Sequence, residues 1–112
     1  MSDIELCYLP ATEVLARFRD RRLSPADLVK ALIARAERVG PAVNAFATTC
    51  FDRALTQARA AEVKYAATGT RLRPLEGVPV VIKDLHPIAG EVTTAGSHAF
   101  AEQRDSVTAP TV

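Results

Sequence analysis

The sequence predicts an α/β fold, because helix-type and strand-type patterns alternate along its 112 residues. Apolar residues make up 48% of the chain and charged residues 24%, a balance typical of a globular protein that buries a core. The run Val78–Ile82 contains only Val, Ile and one Pro, which is typical of a strand buried on both faces. The predicted order is two helices, a strand, a helix, a second strand and a loop, after which a further helix begins.

Two helices are predicted over residues 11–39. Thr12 is the predicted N-cap of the first helix, which is short and ends in a charged stretch. Ser24 is the predicted N-cap of the second, and Pro25 suits the first helical position, where an N–H has no partner in any case. Apolar side chains then recur at helical spacing. Residues 40–41 (Gly-Pro) are predicted to end this helix, because proline cannot continue it.

A strand and an alanine-rich helix are predicted next. In residues 43–49 the side chains of Val43, Ala45 and Ala47 alternate with those of Asn44, Phe46 and Thr48, as on the two faces of a strand. Residues 52–67 have helical propensity and helical spacing, and their many alanines favour close packing against a neighbouring element. The strand Val78–Ile82 follows a short linker and ends at the charged pair Lys83-Asp84.

The last part of the chain is predicted to be mostly loop. Residues 85–92 contain Pro and Gly as turn signals, and residues 93–97 form a short extended piece that ends in a turn. Residues 98–103 suit one helical turn, and Thr108 is a fair N-cap for a further helix that has Pro110 in its first turn. Because that helix has only just begun and Val78–Ile82 lacks neighbouring strands, we expect these residues to be a fragment of a longer protein.

Charge and cysteine content exclude several classes of partner. The formal net charge is +1, which gives no support for a direct nucleic-acid contact or a membrane-surface partner. No apolar run is long enough to span a bilayer, and the acidic N-terminus lacks the pattern of a signal peptide. Cys7 and Cys50 are far apart in the sequence and have no metal-type spacing. We therefore expect a reducing, cytoplasmic setting, with no metal and no cofactor.

Lys83 is the residue with the strongest claim to a chemical role. A lysine at the end of a strand is usually solvated, and composition alone favours that interpretation. A lysine at the end of a buried strand can instead be desolvated, which lowers its pKa and makes the neutral amine a base. Asp84 would oppose that change only if its side chain pointed the same way, and adjacent side chains of a strand point to opposite faces.

Other chemical interpretations of the same region are weaker. A phosphate-binding loop needs Gly before the lysine and Ser or Thr after it, but Ile82 and Asp84 stand there. Ser97 is preceded by Ala95-Gly96 and lacks the pattern of a nucleophile elbow, so a tight turn with a capping serine is the better interpretation. His86 and His98 lack a third partner at metal spacing and are interpreted as loop or surface residues.

Several segments together resemble the amidase signature family. Residues 75–84 fit the form L-x-G-[IV]-P-x-x-[IV]-K-D, and the T-T-x-G-S form follows at residues 93–97. Upstream, residues 23–25 (Leu-Ser-Pro) before a helix and residues 43–46 before an alanine-rich helix are also similar to the opening of that family. The resemblance covers nearly the whole chain from about Ala11, and the combination of the two central segments is its most specific part.

The resemblance implies both a fold and a reaction. The fold is the N-terminal portion of an α/β/α sandwich with a mixed sheet, in which residues 1–112 belong to one amidase domain. Residues 11–39 would be its helical lead-in and residues 43–112 the start of its α/β core. The reaction is hydrolysis of a carboxamide C–N bond by a Ser-cisSer-Lys triad, with Lys83 at the position of the lysine. Neutral lysine would draw a proton through the bridging serine, so that the other serine forms an acyl-enzyme.

The sequence departs from the family in two places. The family carries its two serines in a downstream Gly/Ser-rich stretch, and this chain has none, so we expect the fragment to be inactive alone. Residues 108–110 read Thr-Ala-Pro where the family often has Asp-Ala-Pro, and threonine caps nearly as well. The resemblance implies a small-molecule amide as substrate and leaves open a homo-oligomer or a partner subunit. The alternatives are the amidase-like subunit of a tRNA-dependent amidotransferase and a small non-catalytic binding or scaffold protein.

Overall fold

The computed structural model describes all residues, 1–112, and consists of helices joined by long irregular segments. The chain divides into two compact units, Met1–Pro79 and Val80–Val112. None of the helices combines the length and the apolar character needed to cross a bilayer. The elements in chain order are α1 (Asp3–Leu6), α2 (Ala11–Arg19), α3 (Pro25–Val43), α4 (Phe51–Ala66) and a 3₁₀ turn (His98–Phe100).

The helices of the first unit enclose a small apolar core. Phe18 of α2 is 1% exposed and lies against Leu28 of α3, while the ring of Tyr65 on α4 is tilted against it with 5.5 Å between centroids. A second cluster joins Ala26 and Ala58, and its small side chains let α3 and α4 approach closely. The alanine-rich stretch therefore packs against a neighbouring helix, as its composition predicted.

The start of α3 follows the prediction, but its end does not. Ser24 is the N-cap and its hydroxyl accepts a hydrogen bond from the Ala26 N–H, with Pro25 in the first turn. The predicted stop at residues 40–41 is wrong, because α3 continues through Pro41 to Val43. The helix ends at Asn44, which adopts a left-handed conformation with φ 48° and donates its N–H to the Gly40 carbonyl. An asparagine tolerates that conformation better than most residues and so replaces glycine as the terminating signal.

Two other helix boundaries differ from the prediction. α2 begins earlier than Thr12 implied, with Pro10 in the N-cap position and no side-chain cap. α1 was not predicted, and it is held by a capping box in which Ser2 and Glu5 exchange hydrogen bonds. The Ser-x-x-Glu spacing at residues 2–5 is a sequence signal that could have identified it.

The predicted mixed sheet is not seen. Residues 44–50 form a loop instead of the predicted strand, and Val78–Ile82 makes no strand pairing. The side chains of Val80 and Val81 are 73% and 75% exposed, and a lone bridge between Val92 and Arg104 is the sole β pairing. A run of β-branched residues becomes a strand only when a neighbouring strand pairs with its backbone, and none of the 112 residues supplies that neighbour.

The second unit is held by turns and by side chains that bond to the backbone. The 3₁₀ turn at His98–Phe100 is a shorter version of the predicted helical turn. The helix predicted to start at Thr108 does not form, and Pro110 lies in a turn. The Thr108 hydroxyl instead accepts a hydrogen bond from the Ala89 N–H at 3.0 Å, so it holds the preceding loop in place of a helix end.

Candidate functional site

Lys83 lies on the surface of the second unit, and its position is set through its backbone. Its carbonyl oxygen accepts hydrogen bonds from the N–H groups of Leu85 at 2.7 Å and His86 at 3.0 Å, so the chain turns directly after the lysine. The side chain is exposed, and its ammonium group makes no hydrogen bond or ion pair. The desolvation expected of a lysine at the end of a buried strand is therefore not seen, because the strand does not form and the amino group of Lys83 is open to solvent.

Asp84 joins the two segments that carried the resemblance. One carboxylate oxygen accepts the Thr94 N–H at 2.8 Å, and the other accepts the Thr94 hydroxyl. The Asp84 carbonyl accepts the Ala95 N–H at 3.1 Å. The hydrogen bonds from the hydroxyl and the N–H of Thr94 lower the pKa of the Asp84 carboxyl below its ordinary range. The Lys-Asp pair and the T-T-A-G-S segment thus form one hydrogen-bonded loop cluster.

The T-T-A-G-S segment is a tight turn, as the sequence indicated. Ala95 and Gly96 both have positive φ, 51° and 75°, and the Ser97 N–H donates to the Thr94 carbonyl at 2.9 Å. Ser97 accepts the Ala99 N–H at 3.3 Å and so caps the 3₁₀ turn. The capping interpretation of Ser97 is confirmed, and its hydroxyl makes no hydrogen bond to either histidine.

A second threonine–aspartate pair, not predicted from the sequence, lies beside the first. The Thr93 hydroxyl donates to Asp105 at 2.5 Å, and the backbone of Asp105 exchanges hydrogen bonds with Gly90 and Glu91. Arg104 adds a bond from its guanidinium to the Gly90 carbonyl at 2.7 Å. Two adjacent threonines therefore bind different aspartates. No local sequence pattern points to a partner twelve residues away, because the intervening turns bring the two residues together.

The first half of the 75–84 segment has a structural role in the first unit. Glu76 is 3% exposed, and its carboxylate accepts Lys64 Nζ at 3.0 Å and Arg73 Nε at 3.0 Å. Its carbonyl accepts the Tyr65 hydroxyl at 2.9 Å. The bonds from Arg73, opposed by burial and assisted by Lys64, lower the pKa of Glu76 to about 2. Sequence reasoning treated this glutamate as a variable position of the motif, although it anchors the turn to α4.

Gly77 is required at the next position for two physical reasons. Its φ is +76°, a conformation in which a side chain is strained, and an added Cβ would lie 3.1 Å from Ala61 Cβ and from Pro25 Cγ. The glycine lets this turn lie directly on α3 and α4. The Glu-Gly pair of the motif is thus explained by structure: hydrogen bonds to Glu76, and positive φ and close packing at Gly77.

Comparison with known proteins identifies the family. The family model described as Amidase matches residues 27–112. The chain is 42% identical over 93 residues to a subunit of the glutamyl-tRNA(Gln) amidotransferase of Anaeromyxobacter dehalogenans, which is 83% of this chain and 19% of that protein. It is 38% identical to an acylamidase of Rhodococcus erythropolis, over 91% of this chain and 21% of the relative. An amidase of Gibberella zeae is 35% identical over 94% of this chain.

The chain thus spans about a fifth of the length of the curated relatives that it matches. The matched region contains both the Lys83-Asp84 pair and the T-T-A-G-S turn that Asp84 binds. Relatives named as amidases and relatives named as amidotransferase subunits both match over most of the chain. The chain belongs to the amidase family.

Proposed function

We propose that the protein hydrolyses a carboxamide C–N bond, releasing a carboxylic acid and ammonia or an amine, with Lys83 as the general base. One observation carries this proposal: the family match extends over the whole loop cluster in which Asp84 joins Lys83 to the T-T-A-G-S turn. The Lys83 side chain is exposed and no carboxylate pairs with it, so its amino group is free to face a serine hydroxyl.

The proposed reaction follows the triad that the resemblance implies. Neutral Lys83 takes a proton from a bridging serine, which in turn takes the proton of the nucleophilic serine as that oxygen attacks the amide carbonyl. The C–N bond breaks as the nitrogen receives a proton, and water then hydrolyses the acyl-enzyme. Residues 1–112 lack the Gly/Ser-rich stretch that carries the two serines in the family, so the reaction is tested in the complete polypeptide. We place it in a reducing, cytoplasmic setting, in keeping with the absence of a disulfide at Cys7 and Cys50.

The test is the turnover of small amides by that polypeptide and its Lys83→Ala variant. Benzamide, propionamide and acetanilide probe primary and aryl amides, with release of ammonia or aniline as the readout. We expect Lys83→Ala to reduce kcat at least about 100-fold, the lower end of what a general base contributes. Lys30→Ala is the matched control, because Lys30 is an exposed lysine of α3 that pairs with Asp27 on the helix surface. Full activity in Lys83→Ala would show that this lysine is not the base.

A second candidate is an amidotransferase subunit, in which the ammonia is passed to an acceptor instead of being released. The 42% identity to a subunit of such an enzyme supports it. Such a protein would copurify with a partner chain and would use glutamine as the amide, with turnover that rises on addition of charged tRNA and that partner. Hydrolysis of simple amides by the purified polypeptide alone, without a stimulating partner, favours the amidase.

A further inference from the structure

Asp84 is bound to the T-T-A-G-S turn through both its side chain and its main chain. Both carboxylate oxygens are used by the same residue, Thr94, one by its N–H at 2.8 Å and one by its hydroxyl. The main chain adds the bond from the Ala95 N–H to the Asp84 carbonyl at 3.1 Å. Three hydrogen bonds therefore fix a single aspartate against two consecutive residues of the T-T-A-G-S turn.

Thr94 is itself held on its other side. Its hydroxyl donates to Asp84 and accepts the Gly96 N–H at 3.1 Å. The hydroxyl is therefore fixed both by Asp84 and by the turn that follows Thr94. The Thr94 carbonyl accepts the Ser97 N–H at 2.9 Å. Gly96 and Ala95 occupy the left-handed region, which makes the turn compact and limits the conformations it can reach. Asp84 is thus bound to a rigid support.

Lys83, by contrast, has no side-chain partner of its own. Its carbonyl oxygen accepts the N–H groups of Leu85 and His86, and the carboxylate of the next residue, Asp84, accepts the N–H and the hydroxyl of Thr94. Side-chain direction follows from the backbone torsions at the Cα atom. The direction in which the lysine leaves the chain is therefore set by its neighbour.

We propose that Asp84 and Thr94 are positioning residues for Lys83: their paired hydrogen bonds hold the backbone that aims the lysine at the reacting groups. This role rests on the proposed function, in which Lys83 is the base. The lowered pKa of the Asp84 carboxyl is consistent with it, because an ionised carboxylate accepts both bonds and makes them stronger than neutral ones. Neither residue touches the substrate in this assignment.

The experiment measures kcat and KM for the best of the three amides in the complete polypeptide. Thr94→Val keeps the shape of the side chain and removes the hydroxyl, whereas Thr94→Ser keeps the hydroxyl. We expect Thr94→Val to lower kcat about 10- to 100-fold with KM changed by less than about 3-fold, since a small misplacement of a catalytic group costs up to about 100-fold. Thr94→Ser should restore most of the lost kcat.

Thr93→Val is the matched control, because it removes the adjacent hydroxyl, whose bond goes to Asp105. It should leave kcat within about 3-fold of the parent while lowering the melting temperature by a similar amount to Thr94→Val. Equal losses of kcat in the two valine variants, or no rescue by serine, would overturn the positioning role. If Thr94→Val does not fold, Asp84→Asn reads out the same bonds: it should lower kcat by a similar factor, and an unchanged kcat would overturn the role.

The two sets of variants distinguish the positioning role from the proposed function. An inactive Lys83→Ala with a fully active Thr94→Val leaves Lys83 as the base and removes the positioning role. An active Lys83→Ala removes the proposed function itself.

Discussion

The buried carboxylate of Glu76 offers the most quantitative prediction. Its pKa falls from an ordinary value of 4.5 to about 2, and at about 1.4 kcal/mol per unit this corresponds to an upper limit of about 3 kcal/mol. Its partners are more exposed, with 77% of the Arg73 side chain and 41% of the Lys64 side chain in contact with solvent. Because water screens such pairs, we expect Glu76→Gln to lower the free energy of unfolding by about 1–2 kcal/mol near neutral pH.

The stabilisation by Glu76 is expected to weaken at acidic pH. Because the pKa of Glu76 is lower in the folded state, its contribution is complete above about pH 5 and is lost as the pH falls from about 4.5 towards 2. Glu76→Gln should therefore flatten the fall in stability within that window. Urea denaturation of the complete polypeptide, followed by far-ultraviolet circular dichroism at several pH values, gives both quantities.

Glu37, an exposed glutamate of α3, provides the matched control for Glu76. Glu37→Gln changes a glutamate on the surface of α3 and should alter the free energy of unfolding by less than about 0.5 kcal/mol. The reasoning fails if Glu76→Gln is no less stable than Glu37→Gln. It also fails if the loss of stability below about pH 4.5 is as steep in Glu76→Gln as in the parent.

Two further substitutions, in the turn at Gly77 and at the N-cap of α3, are expected to lower stability. Gly77→Ala should destabilise by at least about 1–3 kcal/mol, because the alanine is strained at φ +76° and its Cβ meets Ala61 and Pro25; a thermal melt no lower than the parent's would contradict this. Ser24→Ala removes the N-cap of α3 and the hydroxyl's hydrogen bond to Glu62, and it should cost about 1 kcal/mol, with Ser24→Gly costing less. Equal stability of the parent and Ser24→Ala in urea would show that the hydroxyl contributes nothing.

The helical part of the chain was largely readable from its sequence. Ser24-Pro25 fixed the start of α3 because capping and proline preferences act over neighbouring residues, and the alanine-rich stretch became α4 within one residue of the predicted limits. The predicted end of α3 at residues 40–41 was wrong because the helix continues through Gly-Pro and ends only where Asn44 adopts a left-handed conformation.

The strands were predicted from residue types that depend on partners outside the local sequence. Val78–Ile82 has the composition of a buried strand, yet Val80 and Val81 are exposed, because pairing requires a neighbour that the 112 residues do not provide. The motif around Lys83 was readable as a pattern. Its internal geometry was not, because the bond between Asp84 and Thr94 joins residues ten positions apart through a turn with positive φ.

The proposed role of Lys83 is tested most directly by amide turnover in a Lys83→Arg variant of the complete polypeptide. Arginine keeps the positive charge and much of the length, but its guanidinium stays protonated and cannot accept a proton from serine. If Lys83 is the base, kcat falls at least about 100-fold while the melting temperature stays close to that of the parent. A variant that releases ammonia at the parental rate would contradict the assignment, since charge alone would then suffice.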